Sequence, residues 1–208
     1  MDPLLLLTER CPALAPCLPD MQKALAAMCQ AWRGGGRLYI CGNGGSDADA
    51  RHIVGELMKG FENRRPVRLP AEALKRLSPE TAELMGRHLQ GALPAHSLSG
   101  ESSLATALAN DVDARMAYAQ QVWGYGRPGD CLLAISTSGN AENVCLAAEL
   151  ARALGLATVA LTGRAGGRLA GLCDIAIRVP ADRTADVQEL HLPVYHALCR
   201  AAEKEFFT

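Results

Sequence analysis

The sequence carries no block of like charge. Its 21 basic and 22 acidic side chains are spread along the chain and leave a net charge of -1, so the positive stripe that neutralises a nucleic-acid backbone is missing and no nucleic-acid partner is expected. A long apolar run is missing too. Leu4 to Leu7, after Met1-Asp2-Pro3, is too short to span a membrane and lacks the basic start and small-residue cleavage site of a signal peptide. A cytoplasmic protein with no membrane partner is therefore expected. The eight cysteines (11, 17, 29, 41, 131, 145, 173, 199) form no C-x-x-C pair and stand mostly in apolar contexts, which argues against a disulfide or zinc framework and for buried reduced thiols.

What is present is a core-forming chain of one domain's length, 208 residues with 49% hydrophobic content. Short apolar runs alternate with longer segments of helical period, the pattern of an α/β fold with a parallel sheet. Strands are expected at 37–41, 93–98, 131–136, 157–162 and 175–179. Helices are expected at 19–32, 47–59, 103–109, 114–125, 141–154 and from about Thr184 to Phe206. Residues 1–33 form an N-terminal helical element, and about 68–90 read as an extra pair of short helices or a lid, with a helix-start signal at Ser78-Pro79-Glu80.

Two strand-to-helix turns carry the chemistry. After the first strand comes Cys41-Gly42-Asn43-Gly44-Gly45-Ser46, a glycine-rich turn whose backbone N–H groups and helix dipole suit an anion, with Ser46 expected as the N-cap. This turn is neither the dinucleotide fingerprint nor the P-loop, so neither NAD nor ATP is specifically indicated. After the strand at 131–136 comes Ser136-Thr137-Ser138-Gly139-Asn140, again hydroxyls and glycine before a helix. In a parallel sheet both turns lie at the carboxyl edge, where open α/β sheets bind ligands. The pair suggests a phosphomonoester site.

On the helix after the first turn, His52 and Glu56 are four residues apart and share a face, a spacing suited to a metal or to a base beside its orienting partner. The closing segment adds Gln188, His191 and His196 around Pro193. A proline there should kink or break the helix, so spacing leaves open which of the three point together.

The motifs G-N-G-G-S, His52-x-x-x-Glu56-Leu57, E-N-R-R-P at 62–66, A-N-D at 109–111, I-S-T-S-G-N at 135–140, L-T-G-x-x-G-G at 161–167 and V-Q-E-L-H-L-P-V-Y-H at 187–196 together resemble the phosphoheptose isomerases. These are sugar isomerase (SIS) domain proteins that convert sedoheptulose 7-phosphate into D-glycero-D-manno-heptose 7-phosphate. The resemblance covers nearly the whole chain after the N-terminal segment, apart from 68–90, which looks like an insertion. It implies a single SIS domain over 1–208, a doubly wound, flavodoxin-like three-layer sandwich with a parallel sheet, and a homotetramer.

By the same resemblance His52, Glu56, Gln188 and His196 match zinc ligands, one ion per subunit. Glu56 matches a catalytic base and His196 its partner acid for an aldose-ketose isomerisation through an enediol. Asn43, Gly44, Gly45, Ser46, Ser136, Thr137 and Ser138 match the phosphate and sugar cradle. Asn110 and Asp111 match contacts to sugar hydroxyls, and Thr184 and Gln188 complete the substrate contacts.

Three departures bear on the substrate: Gly60 replaces an arginine common in the family, Ala141 a serine, and Asp186 a basic residue. Another phosphorylated sugar is therefore an alternative substrate. Non-catalytic relatives of the fold are alternatives too: a phosphosugar-sensing module, and a protein associating with the replication initiator. The presence of both Glu56 and His196 argues against the last.

Overall fold

The alternating pattern resolves into five parallel strands with helices on both faces. In the computed structural model, which describes residues 1–207, the strands are β1 (Leu38–Cys41), β2 (Ala95–Ser97), β3 (Cys131–Ser136), β4 (Ala157–Thr162) and β5 (Ile175–Arg178), in the spatial order β2-β1-β3-β4-β5. Ile40 pairs with Ser97 on one side and Leu133 on the other. Each strand lies within its expected run, and the run at 93–98 shortens to three residues.

The helices are α1 (Pro3–Arg10), α2 (Leu18–Arg33), α3 (Gly45–Met58), α4 (Ala71–Leu74), α5 (Pro79–His88), α6 (Ser102–Asp111), α7 (Ala117–Tyr125), α8 (Glu142–Ala153), α9 (Leu169–Leu172) and α10 (Thr184–Phe207). The helical element expected over 1–33 divides into α1 and α2, and α1 begins almost at the first residue. There Asp2 caps the chain by accepting the Leu4 amide at 2.9 Å, and Pro3 takes the first helical position.

Successive strand residues feed two different cores, which is why the strands read as continuous apolar runs. Leu38 and Ile40 of β1, with Leu133 and Ile135 of β3, pack against α1, α2, α3 and α10. Tyr39 and Cys41, with Leu132 and Ala134, pack against α7, α8 and α9 on the other face. All eight cysteines are free thiols, and burial pushes those of Cys131 and Cys173 up to about 12. Helices α4 and α5 bury nothing. They form an excursion outside the sheet that an isolated antiparallel bridge between Pro66 and Gln90 closes, and Ser78 caps α5 by accepting the Thr81 amide.

Pro193 does not break α10, which continues from Thr184 to Phe207. The proline removes one intrahelical donor, and the carbonyl left without it belongs to Glu189 on the exposed side. Packing of Val187, Val194, Tyr195 and Leu198 against the sheet holds the helix together. Helical phase is thus preserved from Gln188 to Glu203, and this positions the site.

Candidate active site

The strand order reverses between β1 and β3, so the chain leaves these neighbouring strands toward opposite edges and a crevice opens at their carboxyl ends. A cleft of about 360 Å³ lies there. It is lined by residues 43–46 of the first turn, 135–138 of the second, Ala141, and Thr184 and Gln188 of α10. Nine of the expected substrate residues meet in it.

Inside the cleft the roles differ from expectation at one point. The N-cap of α3 is Gly44, with φ 57°, a left-handed conformation open to glycine, and no side chain caps the helix. Ser46 stands inside the first turn, buried, with its amide donating to the Asn43 carbonyl at 3.0 Å. The expected capping role of Ser46 is thereby corrected. Asn43 accepts from the Tyr118 hydroxyl at 3.1 Å and exchanges two hydrogen bonds with Asn143 at the start of α8. Gln188 packs so closely on Gly45 that a Cβ there would lie 2.3 Å from its amide nitrogen. Asn110 donates to Asp111 at 2.6 Å at the end of α6, and neither lines the cleft.

A second cluster forms further along α3, where α10 crosses it. His52 places Nε2 3.0 Å from Glu56 Oε1 and Nδ1 3.0 Å from the Tyr195 hydroxyl, which also lies 3.2 Å from Asp49 Oδ1. The His196 ring stands edge-on to His52 at 4.9 Å between centroids. Its Nε2 is buried with no hydrogen-bond partner among the described residues. Burial, and then the neighbouring His52, hold the His196 imidazole below its ordinary range, with Glu56 opposing. Burial, and then the Asp49 carboxylate, push the Tyr195 hydroxyl up. Lys59 Nζ approaches Glu56 Oε2 at 3.7 Å.

Gly60 has a local explanation. Its N–H donates to Gln90 Oε1 at 2.9 Å, and a Cβ there would lie 2.2 Å from the Asn63 carbonyl. The end of the 68–90 excursion therefore fills the space into which a side chain at 60 would project.

The four expected metal donors fit zinc in kind: two imidazoles, a carboxylate and an amide oxygen. They are not gathered about one point in this arrangement. No group of three His, Cys, Asp or Glu is gathered to hold an ion among the described residues, both nitrogens of His52 are engaged, and Gln188 is committed to the cleft beside Gly45. A larger recess of about 740 Å³ lies elsewhere, lined by Gly34–Gly36, Arg127 and Asp130. Its one carboxylate, Asp130, is taken up by the amides of Arg37 and Arg127, which leaves the carboxyl-edge cleft as the candidate site.

Comparison with known proteins gives the family. SIS domain models match residues 18–91 and 99–201. The phosphoheptose isomerase of Akkermansia muciniphila is 35% identical over 195 residues, covering 94% of this chain and 90% of that protein. That of Shewanella oneidensis is 40% identical over 197 residues, covering 93% and 87%. The chain belongs to the phosphoheptose isomerase family. Among solved structures of this family, phosphoheptose isomerase GmhA from Neisseria gonorrhoeae superposes with a TM-score of 0.75 at 30% identity, covering 97% of this chain and 93% of that one. As a member of this family of isomerases, the chain is an enzyme acting on a phosphorylated sugar.

Several residues in and around the candidate site escaped the sequence. Asn143 holds the two cleft turns together, Tyr195 and Asp49 complete the hydrogen-bonded chain on His52, and Arg65 with Glu203 braces the end of α3. Only weak signals announced them: Asp49 is three residues before His52 on the same helical face, and Tyr195 adjoins His196.

Proposed function

We propose that the enzyme converts sedoheptulose 7-phosphate into D-glycero-D-manno-heptose 7-phosphate through an enediol. The observation that carries this reading is that one helix, α3, joins an anion-suited cleft to an acid-base cluster. Ser46 and Glu56 stand ten residues apart on it, roughly 15 Å of helix axis. A long open-chain sugar phosphate suits such a separation better than a short one.

In this mechanism the cleft hydroxyls of Ser46, Ser136, Thr137 and Ser138, with the amides of 44–46, hold the phosphate. Glu56 removes a proton from C1 of the ketose while His196 donates one to the C2 carbonyl oxygen, giving the enediol. Glu56 then returns its proton to C2, and His196 takes the proton of the C1 hydroxyl as the C1 carbonyl forms. His52 orients Glu56 through the 3.0 Å contact, and Tyr195 fixes the His52 ring. Asn110 and Asp111 are proposed for the sugar hydroxyls in the bound state. Zinc, one per subunit, remains the proposed cofactor at His52, Glu56 and His196 with Gln188. Because these donors are not gathered about one point, none of the steps above depends on it.

A homotetramer is proposed on the strength of exposed apolar side chains such as Val112 and Trp123, 72% and 63% exposed, and a gel-filtration mass of one subunit would overturn it. No helix is long and apolar enough to cross a membrane among the described residues, and the cytoplasm is proposed as the location. Incubation of the purified protein with sedoheptulose 7-phosphate, followed by NMR for the aldose, tests the activity. Turnover that disappears in Glu56→Gln is the expected result; silence with this substrate but turnover of another phosphosugar would overturn the substrate assignment.

A further inference from the structure

Arg65 and Glu203 form an ion pair that is closed to solvent, with side chains 0% and 1% exposed. Such a pair is costly to bury and is retained only when its remaining hydrogen-bonding positions are filled. Here they are filled by the backbone that ends α3. Arg65 Nη1 donates to the Leu57 carbonyl at 2.7 Å and Nη2 to the carbonyl of Glu56 at 3.2 Å, while Nε reaches Glu203 Oε1 at 2.8 Å. Glu203 in turn accepts the amides of Phe61, Glu62 and Asn63 at 2.8, 2.9 and 3.2 Å. The Phe207 ring covers the guanidinium at 4.6 Å.

The connectivity matters because of what the two helices carry. Arg65 caps the carboxyl end of α3 at Glu56 itself. Glu203 lies seven residues after His196 on α10, two turns further along and on the same side. One buried pair therefore ties the backbone of the base to the helix of the acid, over a loop that would otherwise leave the end of α3 to fray. We infer that Arg65 and Glu203 are positioning residues that set the separation of Glu56 and His196 for proton transfer.

The inference rests on the isomerase reading for its kinetic consequence, so it is tested by two readouts. Arg65→Lys keeps the charge but cannot reach Glu203 and both carbonyls at once. Removing one charge alone would strand the other in the interior, so the second variant is the double replacement Arg65→Met with Glu203→Leu, which buries no charge. Thermal unfolding confirms that each variant is folded. In a folded variant kcat should fall at least about tenfold with KM changed less than about twofold, the cost of a small misplacement between reacting groups. In the imidazole NMR spectrum the ring-proton resonances of His52 and His196 should move while those of His88 and His96 stay. A folded variant with wild-type kcat and unmoved His52 and His196 resonances overturns the inference. If the wild type turns over no phosphosugar, the isomerase reading has failed, and the two histidine resonances alone decide whether the pair positions this cluster.

Discussion

Asn43 and Asn143 exchange two side-chain hydrogen bonds, each 2.9 Å, across 100 residues of sequence. Each amide donates to the other's oxygen, so the glycine-rich turn after β1 is tied to the start of α8 behind the second turn. The link thus spans the two halves of the cleft. Asn143→Ala removes both bonds at once and leaves Asn43 held by Tyr118 alone. With a net contribution of about 1 kcal/mol, KM for the sugar phosphate should rise about fivefold while kcat changes little. Steady-state kinetics check this; an unchanged KM would show that the turns hold their spacing without the pair.

Restoring the family's arginine at position 60 should damage this protein. The backbone of Asn63 and the side chain of Gln90 occupy the place where a Cβ would stand, 2.2 and 2.6 Å away. Gly60→Arg is expected to lower stability by about 1–3 kcal/mol through overpacking and to bring no gain in turnover. Urea unfolding and kcat/KM measure the two parts, and a stable, more active variant would refute the account of this departure.

His191 gives the fold an acid-sensitive point. Burial holds its imidazole down to about 4, with the Thr162 backbone opposing, and neither ring nitrogen meets a full hydrogen-bond partner. The folded state thus keeps it neutral where the unfolded chain, with an ordinary value near 6.5, takes up a proton. Its contribution is fully present above about pH 6.5 and is lost as the pH falls toward 4, reaching roughly 3 kcal/mol at the bottom of that window. Other groups titrate in the same range, so the readout is a difference. His191→Leu should lose distinctly less stability than the wild type between pH 7 and pH 4.5 in urea unfolding; parallel losses would show that His191 is not the group responsible.

The metal assignment makes a prediction that does not depend on turnover. Zinc added to the metal-free protein should raise its Tm and appear as bound ion in native mass spectrometry, through preferential binding to the folded state. His52→Ala should abolish both effects. Absence of zinc uptake by the wild type would leave Glu56 and His196 to work as an acid-base pair without an ion.

Much of this protein was legible in its sequence because the governing patterns are local. Strands buried on both faces must be apolar at every position, and Cys131 to Ser136 announced itself for that reason. Residues four apart on a helix must share a face, so His52 and Glu56 were visible as a pair before their 3.0 Å contact was known. A turn of glycines and hydroxyls at the end of a buried strand points to an anion through its own backbone. The cap of α3 departs from that local reading, because the left-handed backbone at Gly44, rather than the hydroxyl of Ser46, starts the helix.

The long-range contacts were not legible, since no periodicity reports them. His52 and Tyr195 are 143 residues apart, and Arg65 and Glu203 are 138 apart. The direction in which Gln188, His191 and His196 point depended on whether α10 survives Pro193, a choice settled by the packing of the helix against the sheet rather than by its own propensity. Chain-local chemistry thus determined the parallel α/β architecture, the two phosphate-suited turns and the His52–Glu56 pair. Only the tertiary structure decided which side chains meet across elements, because those meetings depend on how two cores pack around one sheet.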